Sequence, residues 1–152
     1  MSPAPNRYHQ EISSNIEFIL MKYLEQNPIG KLYDAPFDVY LTEQNVLQPD
    51  KVFVANDRLF ILTDDGAQGA PTLVIEILSG STAHLDKKTK RKVYAGAGVP
   101  ELWLVDPETK SIELYFLQDD PEKPAAVYQE SDSFTSPCFP GLRIKAAEIF
   151  RK

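Results

Sequence analysis

The chain has 152 residues, 43% of them hydrophobic and 25% charged, the composition of one ordinary globular domain that can bury a core without staples. Its net charge of −6 is the reverse of a passive nucleic-acid binder's basic balance, so a phosphate backbone would have to be met by a local patch or by bound cations. The single cysteine, Cys138, excludes a disulfide framework and fits a reducing cytoplasm; no apolar run reaches the ~18 residues that cross a membrane.

Residues 1–5 read as a disordered leader, with Asn6 a competent N-cap for the helix that follows. Tyr8, Ile12, Ile16, Ile19 and Tyr23 recur at helical spacing, and Gln26-Asn27-Pro28 ends the run. Alternation from Leu32 through Tyr33, Ala35, Phe37 and Val39 to Leu41 predicts a strand, with Pro36 at a bulge or an edge. Val52 and Val54 are strand-like, Asn56-Asp57 marks a turn, Leu59 to Leu62 reads as another short strand, and 64–71 reads as a loop.

The next stretch organises the rest. Leu73 to Leu78 is a continuous apolar run of the kind covered on both faces, interrupted only by Glu76. A Ser-Gly-Ser-Thr turn, with Ser79, Ser81 and Thr82 as capping residues, leads into a helix that closes at Gly96-Ala97-Gly98. A second buried strand, Glu101 to Val105, follows, completing a βαβ unit of minimal length. Strands at Ile112 to Leu117 and Val127-Tyr128, then Phe139-Pro140-Gly141-Leu142, a last strand and a helical tail at 146–150, complete the chain. The order predicts a mixed β-sheet flanked by helices in an α/β (α+β) domain spanning residues 1–152.

A bare carboxylate in a buried strand costs several kcal/mol unless it is paired or holds a metal. Asp50 opens the strand that contains Val52. If that strand neighbours the one carrying Glu76, both carboxylates point to one spot, and two hard oxygen ligands with open positions suit Mg²⁺. On the helix, Asp86, Lys90, Val93 or Tyr94, and Ala97 share the stripe that faces the sheet, so Lys90 is the cation aimed at the carboxylates. Lys87, Lys88, Arg91 and Lys92 fall on its flanks and outer side; such a run is ordinarily a solvated face, but here it borders the carboxylates and could contact phosphates. Tyr94 and Trp103 read as core aromatics, and His9 as a surface or helix-face histidine. Beside the metal reading stands an ordinary one: a turn aspartate, a salt-bridged glutamate and an i,i+4 Asp86–Lys90 pair.

Pro49-Asp50, Glu76-Ile77-Leu78-Ser79, Asp86 with Lys90 and Tyr94, and Gly98-Val99 with Trp103 and Asp106 form a series that resembles the PD-(D/E)XK nuclease superfamily. The resemblance is nearest to its bacterial branch of restriction-endonuclease-like proteins long filed as a domain of unknown function, and runs from about residue 8 to 150. It implies a restriction-endonuclease-like fold and a Mg²⁺- (or Mn²⁺-) dependent endonuclease acting on DNA. It further implies a metal held by Asp50, Glu76 and the Ile77 carbonyl. The superfamily lysine stands two residues after the glutamate, where this chain has Leu78; the branch carries it on the following helix, at Lys90. Some members place an extra polar group on the first helix, where Glu11 and His9 stand here. Such nucleases often pair two sites in a homodimer. An inactive relative that binds nucleic acid or protein, and a domain with a buried ion pair, remain alternatives.

Overall fold

A computed structural model describes the backbone of residues 6–79 and 83–152, and the side chains of all of these except 83–86. The 1–5 leader, the Ser81 and Thr82 caps and the Asp86 side chain therefore lie outside the described residues.

The first helix, α1, is Arg7–Gln26. Asn6 caps it by accepting from the His9 backbone N–H at 2.8 Å, and the Asn27-Pro28 step stops it. Its inward face is His9, Ile12, Ile16, Leu20 and Leu24, one residue per turn, with Tyr8, Ile19 and Tyr23 packed along its margins. There follow β1 (Gly30–Asp34), β2 (Val39–Tyr40), β3 (Val46–Leu47), β4 (Lys51–Ala55), β5 (Leu62–Thr63), β6 (Gly66–Gln68) and β7 (Leu73–Ile77). After helix α2 (Ala83–Gly96) come β8 (Glu101–Asp106), β9 (Ser111–Phe116), β10 (Ala126–Gln129), β11 (Ser133–Phe134), β12 (Ile144–Lys145) and the short helix α3 (Ala146–Ile149).

The main sheet has six strands in the order β1-β4-β7-β8-β9-β10. Only β7 and β8 run parallel, as a crossover through α2 requires, and the other neighbours are antiparallel. Side-chain alternation sends Phe53, Leu73, Ile75, Ile77, Trp103 and Val105 to the α1 face. Val52, Val54, Val74, Leu102 and Leu104 face the other way, with Tyr94 of α2 and a small four-stranded sheet, β3-β2-β6-β5. Both faces of β7 are covered, which explains its continuous apolar run. A mixed sheet flanked by helices is the architecture expected from the order of elements.

Three local expectations are corrected. The alternating run at 32–41 is two strands in different sheets, because the chain turns at 35–38 and β2 leaves to pair with β3 and β6. The segment 59–62 is chiefly a 3₁₀ helix, Asn56–Ile61, with Ile61 inward and Phe60 out; Asn56 Nδ2 donates to the Pro28 carbonyl and Arg58 Nε to the Ala70 carbonyl, fixing the tight turns. The 64–71 loop contains β6, which lies so close to the Asp38 carbonyl that any Cβ at Gly66 (φ +139°) would collide with it.

Candidate functional site

The register of β4 against β7 pairs Lys51 with Ile75, so the next residue back on β4 stands beside the next one on along β7. Those residues are Asp50 and Glu76. By alternation both side chains take the α2 face, as Val52 and Val74 do. They are knitted together through the backbone: the Asp50 N–H donates to Glu76 Oε1 at 3.2 Å, and the Ile77 N–H donates to Asp50 Oδ2 at 2.7 Å. The Asp50 carbonyl accepts from the Ala35 N–H at 3.1 Å, which ties this corner to β1 as well.

Glu76 is 6% exposed and carries two further contacts, both from α2. Lys90 Nζ stands 3.1 Å from Glu76 Oε2, and the Tyr94 hydroxyl donates to the same oxygen at 2.9 Å. Lys90 and Tyr94 are one helical turn apart, so a single face of α2 delivers both. The inward aim expected for Lys90 is observed. Tyr94 is fully buried, as a core aromatic should be, and also orients the carboxylate. Burial pushes the Glu76 carboxyl above the usual carboxylate range and Asp50 adds to this, while Lys90 and Tyr94 pull it back.

His9 corrects the sequence reading. It is not a surface histidine: only 6% exposed, it reaches round the end of β7 from the opposite side of the sheet. Its Nε2 lies 3.1 Å from the Ile77 carbonyl oxygen and 3.7 Å from Asp50 Oδ2. The Asp50 hydrogen bond raises its pKa, with burial opposing. The missed signal was its spacing: His9 stands three residues before Ile12 on the buried stripe. Glu11, the other polar candidate on this helix, is paired instead with Arg7 at 3.4 Å, one turn back.

The basic run on α2 also differs from expectation. Lys87 Nζ donates to Glu113 Oε2 at 3.0 Å, and Arg91 Nη1 donates to the Tyr115 hydroxyl at 3.2 Å while lying over that ring. Both cations are partly buried, turned onto β9, and hold α2 to the sheet. Lys88 and Lys92 point outward as expected. Lys51, next to Asp50, was not singled out in the sequence. It is wholly buried on the α1 face and paired with Asp34 and, at 3.9 Å, with Glu17.

Two carboxylates, the Ile77 carbonyl and an imidazole thus border one point at the end of β7. Among the described residues, no group of three or more His, Cys, Asp or Glu side chains is placed to hold a metal ion. The oxygen donors at this corner, two carboxylates and a backbone carbonyl, are of the type that a hard divalent ion takes. A groove of about 850 Å³ lies between α1 and β1 beside Phe18 and Met21, and Asp50 and Glu76 do not line it. The charged corner, where titratable groups from two strands and two helices meet, is the candidate site. No helix among the described residues is long and apolar enough to cross a membrane.

The family model for Uma2, "putative restriction endonuclease", matches residues 1–147. Among solved structures, the chain is similar to a putative nuclease of the family DUF820 from Anabaena variabilis, with a TM-score of 0.80 and 17% identity. That match covers 99% of this chain and 84% of the other. Among curated proteins none matches.

Proposed function

Since the chain belongs to the Uma2 family of putative restriction endonucleases, we propose that it is a Mg²⁺- or Mn²⁺-dependent nuclease that hydrolyses phosphodiester bonds of DNA, using Asp50, Glu76 and Lys90. The observation that carries this reading is the cluster itself: two carboxylates from neighbouring strands joined on one face of the sheet, with Lys90 Nζ 3.1 Å from Glu76.

Asp50, Glu76 and the Ile77 carbonyl are the groups that would hold the ion. When bound, it would polarise the phosphoryl group and make a bound water acidic. Lys90 supplies the fixed positive charge. Its side chain is 31% exposed, so the ammonium that meets Glu76 can also balance charge that builds on the phosphate oxygens. Tyr94 holds Glu76 by one oxygen and so fixes the carboxylate plane. Lys88 and Lys92 are the outward cations of α2 available to the DNA backbone. A homodimer that presents two such sites to the two strands of a duplex, working in the cytoplasm, completes the reading.

The test is cleavage of plasmid, single-stranded DNA and RNA with each metal and with EDTA. Metal-dependent nicking that is lost in Asp50→Asn, Glu76→Gln and Lys90→Ala supports it. A protein inert on all substrates with both metals would instead be a binding relative.

A further inference from the structure

A second polar cluster lies at the other end of the main sheet. Glu101 opens β8 and pairs with Leu73 at the start of β7, about 13 Å along the strand from Ile77. By alternation its side chain shares the α1 face with Trp103, the face opposite Asp50 and Glu76. Glu101 is 3% exposed, yet it enters no ion pair among the described residues. Its donors are uncharged: Trp103 Nε1 at 2.7 Å and the Ser136 hydroxyl at 2.6 Å, both bonded to Oε2. Among the described residues, Oε1 receives the Cys138 thiol alone, a weak donor at 3.5 Å. Burial, and then the Glu101 charge, push that thiol well above its usual range, so it stays a neutral S–H.

Beside this carboxylate opens a cavity of about 570 Å³, the size of a small-ligand site. Phe53, Phe116 and Pro140 give it apolar walls, and the charged groups on its lining, Glu101 and Asp57, are both acids. A desolvated carboxylate is stabilised by an opposite charge, and an aromatic face attracts one as well. We infer that this cavity binds a small organic amine, its ammonium meeting Glu101 Oε1 and its apolar body lying against Phe53 and Phe116. Asp57, exposed at the rim, adds attraction at longer range. The inference is independent of the nuclease reading, since neither Asp50 nor Glu76 lines this cavity.

Trp103 is the one tryptophan of the chain, and its indole N–H is bonded to the same carboxylate, so that N–H resonance reports on the site. The experiment follows it in the ¹⁵N-labelled full-length protein during titration with benzylamine and with its neutral isostere, benzyl alcohol. Benzylamine should move the resonance with a dissociation constant of about 1 mM, the strength of a fragment of this size, and the alcohol should bind at least about tenfold more weakly. Glu101→Gln should weaken benzylamine at least about tenfold, Asp57→Asn by a few fold, and Asp50→Asn not at all. Equal binding of amine and alcohol, an unchanged constant in Glu101→Gln, or no movement by about 10 mM benzylamine overturns the inference. A lysine-containing peptide that moves the resonance where benzylamine does not also overturns it and assigns the cavity to a partner chain. Should Glu101→Gln fail to fold, the amine-to-alcohol ratio on wild type decides by itself.

Discussion

The Asp50 amide and the Glu76 carboxylate are bonded directly, N–H to Oε1 at 3.2 Å, so the position of one acid is set by the backbone of the other. The site is therefore assembled by strand pairing and not by flexible side chains meeting. That link also sets two anions side by side in a desolvated corner, which raises Glu76 through burial first and Asp50 next. A carboxyl whose folded pKa lies above its unfolded value costs stability when ionised. The cost is absent below the unfolded value and grows as pH rises through the folded one. In EDTA, Glu76→Gln should melt at or above wild type near neutral pH, and the difference should close below about pH 4, where both states are protonated. Melting curves across pH measure this. A variant melting far below wild type at pH 7 would mean that Glu76 is a structural ion-pair partner.

Metal should act by mass action on the folded state. Added Mn²⁺ at a hundred times its dissociation constant should stabilise wild type by about 2.7 kcal/mol, and Asp50→Asn by far less. Equal responses in the two proteins would place the ion elsewhere.

Lys90 and Tyr94 separate charge from orientation. Lys90→Ala should lower the cleavage rate by roughly a hundredfold or more and also lower stability, because the buried Glu76 carboxylate loses its cation. Tyr94→Phe should cost about 1–3 kcal/mol of stability, because an acceptor lone pair of buried Glu76 loses its donor. Single-turnover rates and urea melts on the same samples distinguish the two roles.

Apart from Lys90, the lysines and arginine of α2 should divide into two pairs. Lys88→Ala with Lys92→Ala should weaken DNA binding across sequences and flatten its salt dependence. Lys87→Met should mainly lower stability, by about 1 kcal/mol, since its partner is the half-buried Glu113. Binding measured at several salt concentrations, beside thermal melts, would show a Lys87 variant with an altered salt slope if that assignment is wrong.

The core makes a contrasting case. Ile75 is fully buried at the centre of β7 on the α1 face, and Ile75→Ala should cost about 2–5 kcal/mol with unchanged metal stoichiometry. Chemical denaturation and metal titration read the two effects separately.

Local patterns in the chain determined much of this. The Asn6 cap and Asn27-Pro28 stop bound α1, a two-sided apolar run marked β7 as central, and helical spacing aimed Lys90 and Tyr94 inward, because each depends on neighbours within a few residues. The oddity of Glu76 within that run marked the candidate site. Only the tertiary structure decided what crosses between elements. Which strand lies beside β7, and in what register, follows from long-range pairing, and this joins Asp50 to Glu76. His9 could be read as an exposed helix residue until α1 was seated on the sheet with its first turn at the end of β7. Lys87 and Arg91 look identical to Lys88 and Lys92 in composition; the placement of Glu113 and Tyr115 on β9 turns the first two inward, because a half-buried carboxylate and hydroxyl need partners that water no longer supplies.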